Sequence, residues 1–113
     1  MAEIRMKIIK KDLTDKIYSK YIRDYPSTNP IRKQTFQIIV DLFLQTVTEE
    51  LLEGNSVELR GFGVFERKLQ KARFWAKDPR NGNYIDCFDH YKATFRQGEK
   101  LKAQMKEIPV QKS

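Results

Sequence analysis

Apolar residues recur at helical spacing in two stretches of this chain and at strand spacing in a third. Leu13, Ile17 and Tyr21, with Tyr18, Ile22 and Tyr25, lie three or four positions apart. That spacing predicts a first helix over residues 11–24 with one apolar face. Tyr25-Pro26-Ser27-Thr28-Asn29-Pro30 then breaks the pattern, two prolines flanking three turn-formers. Asn29 as N-cap and Pro30 at the first helical position predict a second helix over residues 30–53. Gly54-Asn55 stops it, because glycine accepts the left-handed geometry of a C-cap. In this second helix Phe36, Ile38, Ile39, Val40, Leu42, Phe43, Leu44, Val47, Leu51 and Leu52 cover more than one stripe. A helix of a two-helix monomer needs one buried side. The excess predicts that the other side meets a second copy of the chain. A larger monomeric core is the alternative, but too little chain remains to build one.

From Ser56 the period changes to two. Val57 and Leu59 alternate with Glu58 and Arg60, and Gly61-Phe62-Gly63-Val64-Phe65 marks a tight bend or a close backbone approach. A long strand is expected over residues 64–77 and a return strand over 83–95. Asp78-Pro79-Arg80-Asn81-Gly82 forms the hairpin tip between them, proline fixing φ at the start of the turn and Asn-Gly accepting positive φ at its end. Gln97-Gly98 turns the chain into a last helix over 99–106, and residues 108–113 read as a frayed tail. Residues 1–9 carry Ile4, Met6, Ile8 and Ile9 among charges without a turn signal, which fits a short arm, a strand or no regular structure.

At 113 residues and 13.4 kDa the chain is one small domain, and 40% hydrophobic residues exclude a fully disordered chain. Charge adds more. The net charge is +7, an excess that points to a polyanionic partner. It is concentrated: residues 1–59 are net 0, residues 60–102 net +6 and residues 103–113 net +1. The segment from Arg60 to Lys102 is therefore expected to touch the partner; a merely solvated basic surface is the plainer alternative. One cysteine excludes an internal disulfide framework, and one histidine leaves no Cys/His zinc set within a single chain, so no metal or other cofactor is expected. No apolar run reaches the length of a membrane span, and the first eleven residues lack the apolar stretch of a secretory leader. A cytoplasmic protein is the expectation.

Arg67, Lys71, Arg73 and Lys77 are separated by even numbers, which in a regular strand puts them on one face at about 7 Å intervals, suited to a phosphate track. Lys68 falls on the other face, Arg80 crowns the tip, and the return strand supplies only Lys92. A ribbon this long is marginal alone in water. It reads as an arm that becomes ordered on its partner, or, more plainly, as a sheet edge guarded by lysine and arginine. Phe74 and Trp75 either join a cross-strand aromatic cluster near Tyr84 or Phe88 or pack on sugars in a groove. Cys87 reads as a small apolar filler and His90, near Asp89, as a polar contact at the base of the arm. No nucleophile, base and orienting group occur together, so an enzyme is not expected.

Three motifs in succession resemble the HU/IHF family of bacterial histone-like proteins: Gly61-Phe62-Gly63-Val64-Phe65-Glu66, then Asp78-Pro79-Arg80-Asn81-Gly82, then Thr94-Phe95-Arg96-Gln97-Gly98-Glu99-Lys100-Leu101-Lys102. The resemblance implies an α+β fold, an intertwined dimer with an N-terminal helical hairpin, a three-stranded antiparallel sheet with a protruding β-ribbon arm, and a short C-terminal helix. It divides the chain into an extension (1–9), the DNA-binding domain (10–106, arm about 67–92) and a tail (107–113). It implies that Pro79 is the wedge intercalated in the DNA minor groove. Arg67, Lys68, Lys71, Arg73, Lys77, Arg80 and Asn81 correspond to the DNA-binding arm. Arg96, Lys100 and Lys102, with Lys10 and Lys11, correspond to phosphate contacts beside the body. Phe36, Ile39, Phe43, Val47, Phe62, Phe65 and Phe95 are the expected dimer core. The chain departs from the family pattern at Asp78, Asn81, Gln97 and Ala76-Lys77, and its ascending arm is one residue longer. A β-bulge there would rotate the arm's faces and break the one-face arrangement of cations.

The function implied is architectural: a nucleoid-associated homodimer that binds double-stranded DNA with little sequence preference, bends it and favours DNA already distorted. A sequence-selective subunit of an IHF-like heterodimer is a second reading. A basic module for RNA or an acidic protein is a third, disfavoured because the deep, narrow groove of A-form RNA does not admit a ribbon in the same way.

Overall fold

The computed structural model describes residues 5–72, 76–77, 84–85 and 88–110. Two compact units divide the chain, one holding residues 1–48 with 110–113 and the other residues 49–109.

The first unit is a helical hairpin. Helix α1 (Lys10–Asp24) starts where the Asp12 carboxylate accepts the backbone N–H of Ile9 at 3.1 Å, so an orphan donor of the first turn is satisfied by an acid that also suits the helix dipole. This is the start signal that the apolar periodicity does not contain. Helix α2 (Lys33–Leu52) begins three residues later than Asn29-Pro30 predict. Asn29 does not act as the cap: its N–H donates to the Ser27 hydroxyl, and the Ile31 N–H donates to the Tyr21 hydroxyl at 3.1 Å. A phenol from α1 thus takes a donor that a cap would otherwise serve. Phe36 packs against Tyr18 and Tyr21 with ring centroids 6.0 and 5.0 Å apart, and Lys10–Asp41 and Lys33–Asp15 ion pairs join the two helices. Thr14, 2% exposed, sits under the hairpin with its hydroxyl donated to the Lys10 carbonyl.

The second unit begins with the last turn of α2. The Asn55 N–H reaches the Glu50 carbonyl and the Gly54 N–H that of Leu51, both at 3.0 Å, with Gly54 at φ +91°. This is the glycine C-cap expected from Gly54-Asn55, in its doubly bonded form. Strands β1 (Val57–Leu59), β2 (Gly63–Gln70) and β5 (His90–Gln97) make an antiparallel sheet in the order β1-β2-β5. Strands β3 (Ala76–Lys77) and β4 (Tyr84–Ile85) form a separate two-stranded ladder, and helix α3 (Glu99–Lys106) follows Gly98 as foreseen. The Gly61 bend has φ +84° and is closed by Phe62 N–H to Leu59 carbonyl. At Gly63 a Cβ would lie 2.5 Å from the Phe95 ring and 2.6 Å from the Arg96 carbonyl, so the close approach inferred from the glycines is real.

The two long strands expected over 64–77 and 83–95 are each interrupted. Lys71 and Ala72, and Phe88 and Asp89, are not in strand. In the inner ladder the register pairs Gln70 with His90; in the outer one it pairs Ala76 with Ile85. Five residues therefore separate the ladders on the ascending side and four on the returning side. Five against four residues amount to a one-residue register offset between the ladders. Beside it, the Ala72 N–H is bonded at 2.6 Å to the Asp89 carboxylate.

Candidate nucleic-acid interface

Strand alternation and the contacts across it sort the β2–β5 ladder into two faces. Phe65 pairs with Phe95, and their rings, 5.0 Å apart, join Phe62 in a three-ring cluster; Leu69 pairs with Tyr91 on the same face. The opposite face is largely polar, and its cations are Lys68, Lys92 and Arg96. Lys68 stands directly opposite Lys92, Glu66 opposite Thr94, and Val64 opposite Arg96. Glu66 lies between the cations, its carboxylate 3.2 Å from Arg96 and 3.8 Å from Lys68. One half-covered carboxylate thus serves two cations, and Lys92 has a cation for its cross-strand neighbour. Like charges directly opposed are destabilising in a ladder, and a polyanion laid on this face relieves the repulsion.

Of the expected track Arg67, Lys71, Arg73 and Lys77, only Arg67 lies in the β2–β5 ladder. Arg67 and Lys68 are indeed on opposite faces, but the cationic face is that of Lys68. Arg67 shares the aromatic face, its guanidinium 4.0 Å over the Tyr91 ring. Lys71 lies beyond the end of β2, and Lys77 belongs to the separate β3–β4 ladder.

Lys92 is the cation the family correspondence passes over. Its signal is in the register, because only the Lys68–Lys92 pairing reveals that two lysines share one spot. Lys100 and Lys102 are exposed on α3, Lys11 is exposed on the first turn of α1, and neighbouring Lys10 is engaged with Asp41. His90 bonds through Nδ1 to the Phe88 carbonyl and not to Asp89. Lys77 is placed by its backbone in β3, opposite Tyr84. Arg73, Phe74, Trp75, Pro79, Arg80, Asn81 and Cys87 lie outside the described residues.

The residues expected at a dimer core fall in two groups. Phe36 and Val47 are half-buried, as is Phe65 in the ring cluster. Ile39 and Phe43 are each about half exposed, at 53% and 50%, and Ile38, Leu42 and Leu44 beside them are similar. Among the described residues no hydrophobic side chain is fully covered.

Residues 8–106 match the family model described as bacterial DNA-binding protein. Among curated relatives, the integration host factor subunit alpha of Aliivibrio salmonicida (strain LFI1238) is 28% identical over 107 residues, covering 95% of this chain and all of the relative. That of Aliivibrio fischeri (strain MJ11) is equally similar, with the same coverage. Among solved structures, HU of Anabaena, crystallised with DNA, superposes with a TM-score of 0.73 at 22% identity, covering 89% of this chain and all of that one. An HU variant of Thermotoga maritima gives 0.58 at 24% identity, covering 87% and 99%. These likenesses establish the fold, and the family match extends over the helical hairpin, the sheet and α3. The chain belongs to the bacterial DNA-binding protein family of HU and integration host factor.

Proposed function

We propose that this protein is an architectural DNA-binding protein. It acts as an intertwined homodimer, lays the cationic β2–β5 face on the phosphate backbone, and inserts the arm that carries β3 and β4 into the minor groove to bend the duplex. The observation that carries this reading is the Lys68–Lys92 pair with Arg96 on a face whose reverse is aromatic. A ladder with one wet cationic side and one apolar side has a defined surface to offer a polyanion. The half-exposed Ile38, Ile39, Leu42, Phe43 and Leu44 support a dimer, since a helix of this composition needs a second apolar surface to cover it. Affinity comes from phosphate neutralisation and selectivity from the work of deforming DNA, so nicked or already bent duplexes bind best. Pro79 is the wedge at a base step, Arg73, Lys77, Arg80 and Asn81 line the groove, and Lys11, Lys100 and Lys102 hold the flanks. The setting is the bacterial nucleoid within the cytoplasm.

End-to-end energy transfer on a matched duplex of ~35 bp, titrated with wild type and Pro79→Ala, tests it. Bending requires a large shortening that the variant weakens. Binding without shortening overturns the architectural reading and leaves phosphate attraction alone.

The similarity to integration host factor alpha subunits supports a second reading, a sequence-selective bending subunit paired with a homologous chain. Co-purification of such a chain from the native host decides between them.

A further inference from the structure

Arg67 stands at the root of the arm, and its side chain touches three parts of the fold. Its Nη1 donates to the Leu52 carbonyl at 3.1 Å. Its guanidinium carbon lies 4.0 Å over the Tyr91 ring on β5. Its Nη2 passes so close to Gly54 that a Cβ there would be 2.9 Å away.

Each contact has a reason in the helix end. The amides of Glu53, Gly54 and Asn55 bond back to Glu49, Leu51 and Glu50. They pass over the carbonyl of Leu52, the last helical residue, and Arg67 supplies its donor. A cation also complements the negative end of the helix dipole. Gly54 is required by its φ of +91°, and the guanidinium lies in the space beside its missing side chain. Planarity lets the group donate at its edge while its face rests on Tyr91. A lysine ammonium does not combine both.

We infer that Arg67 is a positioning residue: it clasps β2 and β5, the two strands that lead into the arm, to the C-terminal end of α2, and so fixes the direction in which the arm leaves the body. It is not part of the phosphate track, which runs over the opposite face through Lys68, Lys92 and Arg96. The consequence for DNA rests on the bending function proposed above; the clasp itself does not.

The experiment compares wild type with Arg67→Gln, Arg67→Lys and Tyr91→Leu, the last removing the ring at constant charge. Two DNA readouts are taken, the salt dependence of affinity and the end-to-end energy transfer of a bound duplex. Amide exchange of the free protein over residues 88–97 is the third. The expected result is a salt slope equal to wild type in all three variants, altered energy transfer in Arg67→Gln and Tyr91→Leu, no rescue by Arg67→Lys, and faster exchange in β5. A slope reduced by ~0.9 in Arg67→Gln and restored by Arg67→Lys would make Arg67 a phosphate contact and overturn the inference. Unchanged transfer and exchange in Tyr91→Leu would overturn it too, and that variant decides the matter if Arg67→Gln does not fold. If wild type itself leaves the duplex straight, the bending function fails, and exchange alone decides the clasp: faster exchange in the variants upholds it and unchanged exchange rejects it.

Discussion

Lys68 and Lys92 occupy directly opposed positions on neighbouring antiparallel strands, on the face that also carries Arg96. In the free protein the pair is a small liability, since like charges directly opposed destabilise a ladder. On DNA, under the function proposed above, it would become two adjacent phosphate contacts. Lys68→Gln with Lys92→Gln should therefore leave thermal stability equal or slightly higher while weakening DNA binding. The slope of log affinity against log salt should fall by ~0.9 for each lysine. Titrations at several salt concentrations, run beside thermal melts, check both halves.

Gly63→Ala should be strongly destabilising. The added Cβ meets the Phe95 ring at 2.5 Å and the Arg96 carbonyl at 2.6 Å, and a backbone oxygen in a ladder has little room to yield. Overpacking of this kind costs about 1–3 kcal/mol. A lower urea midpoint at unchanged m-value is the expected signature. Gly98→Ala, whose Cβ would stand 3.3 Å from the Phe62 carbonyl, should cost visibly less.

Asp89 closes the gap that the register offset leaves in the ladder, by accepting the Ala72 N–H. Asp89→Asn keeps a carbonyl acceptor and should hold the site. Asp89→Ala should not, with a loss of ~1 kcal/mol or less because the bond is exposed. Hydrogen exchange resolved at Ala72 is the measurement: faster in Asp89→Ala, near wild type in Asp89→Asn.

The half-exposed apolar residues of α2 predict that folding and self-association are coupled. The melting temperature of wild type should rise with protein concentration. Phe43→Glu should abolish that dependence and lower stability. Sedimentation with parallel thermal melts checks it.

The two helices, the glycine stop at Gly54, the bend at Gly61 and the last helix after Gly98 were all legible in the sequence, because each rests on a local rule of spacing or backbone geometry. The start of α2 was not. Asn29-Pro30 satisfies every local criterion for a cap, yet the Tyr21 hydroxyl, ten residues away in sequence, takes the Ile31 N–H. Site residues divide in the same way. That the basic segment lies between Arg60 and Lys102 follows from counting charges. Which cations share a face depends on register, which spacing along one strand does not contain: Lys68 meets Lys92 only through the pairing of β2 with β5. Arg67 shows the limit most clearly: its charge and position match an arm cation, and only the Leu52 carbonyl and the Tyr91 ring reveal another use.

The register offset also constrains how this ribbon can be transplanted. A hairpin with equal numbers of residues on its two sides, joined at Gln70 and His90, meets a scaffold that delivers five residues on one side and four on the other before the outer ladder begins at Ala76 and Ile85. Joined there with equal lengths, the graft changes which positions look outward. Joined at Ala76 and Ile85, it keeps the host's own phase, and the inserted tip can be exchanged without re-engineering the scaffold beneath it.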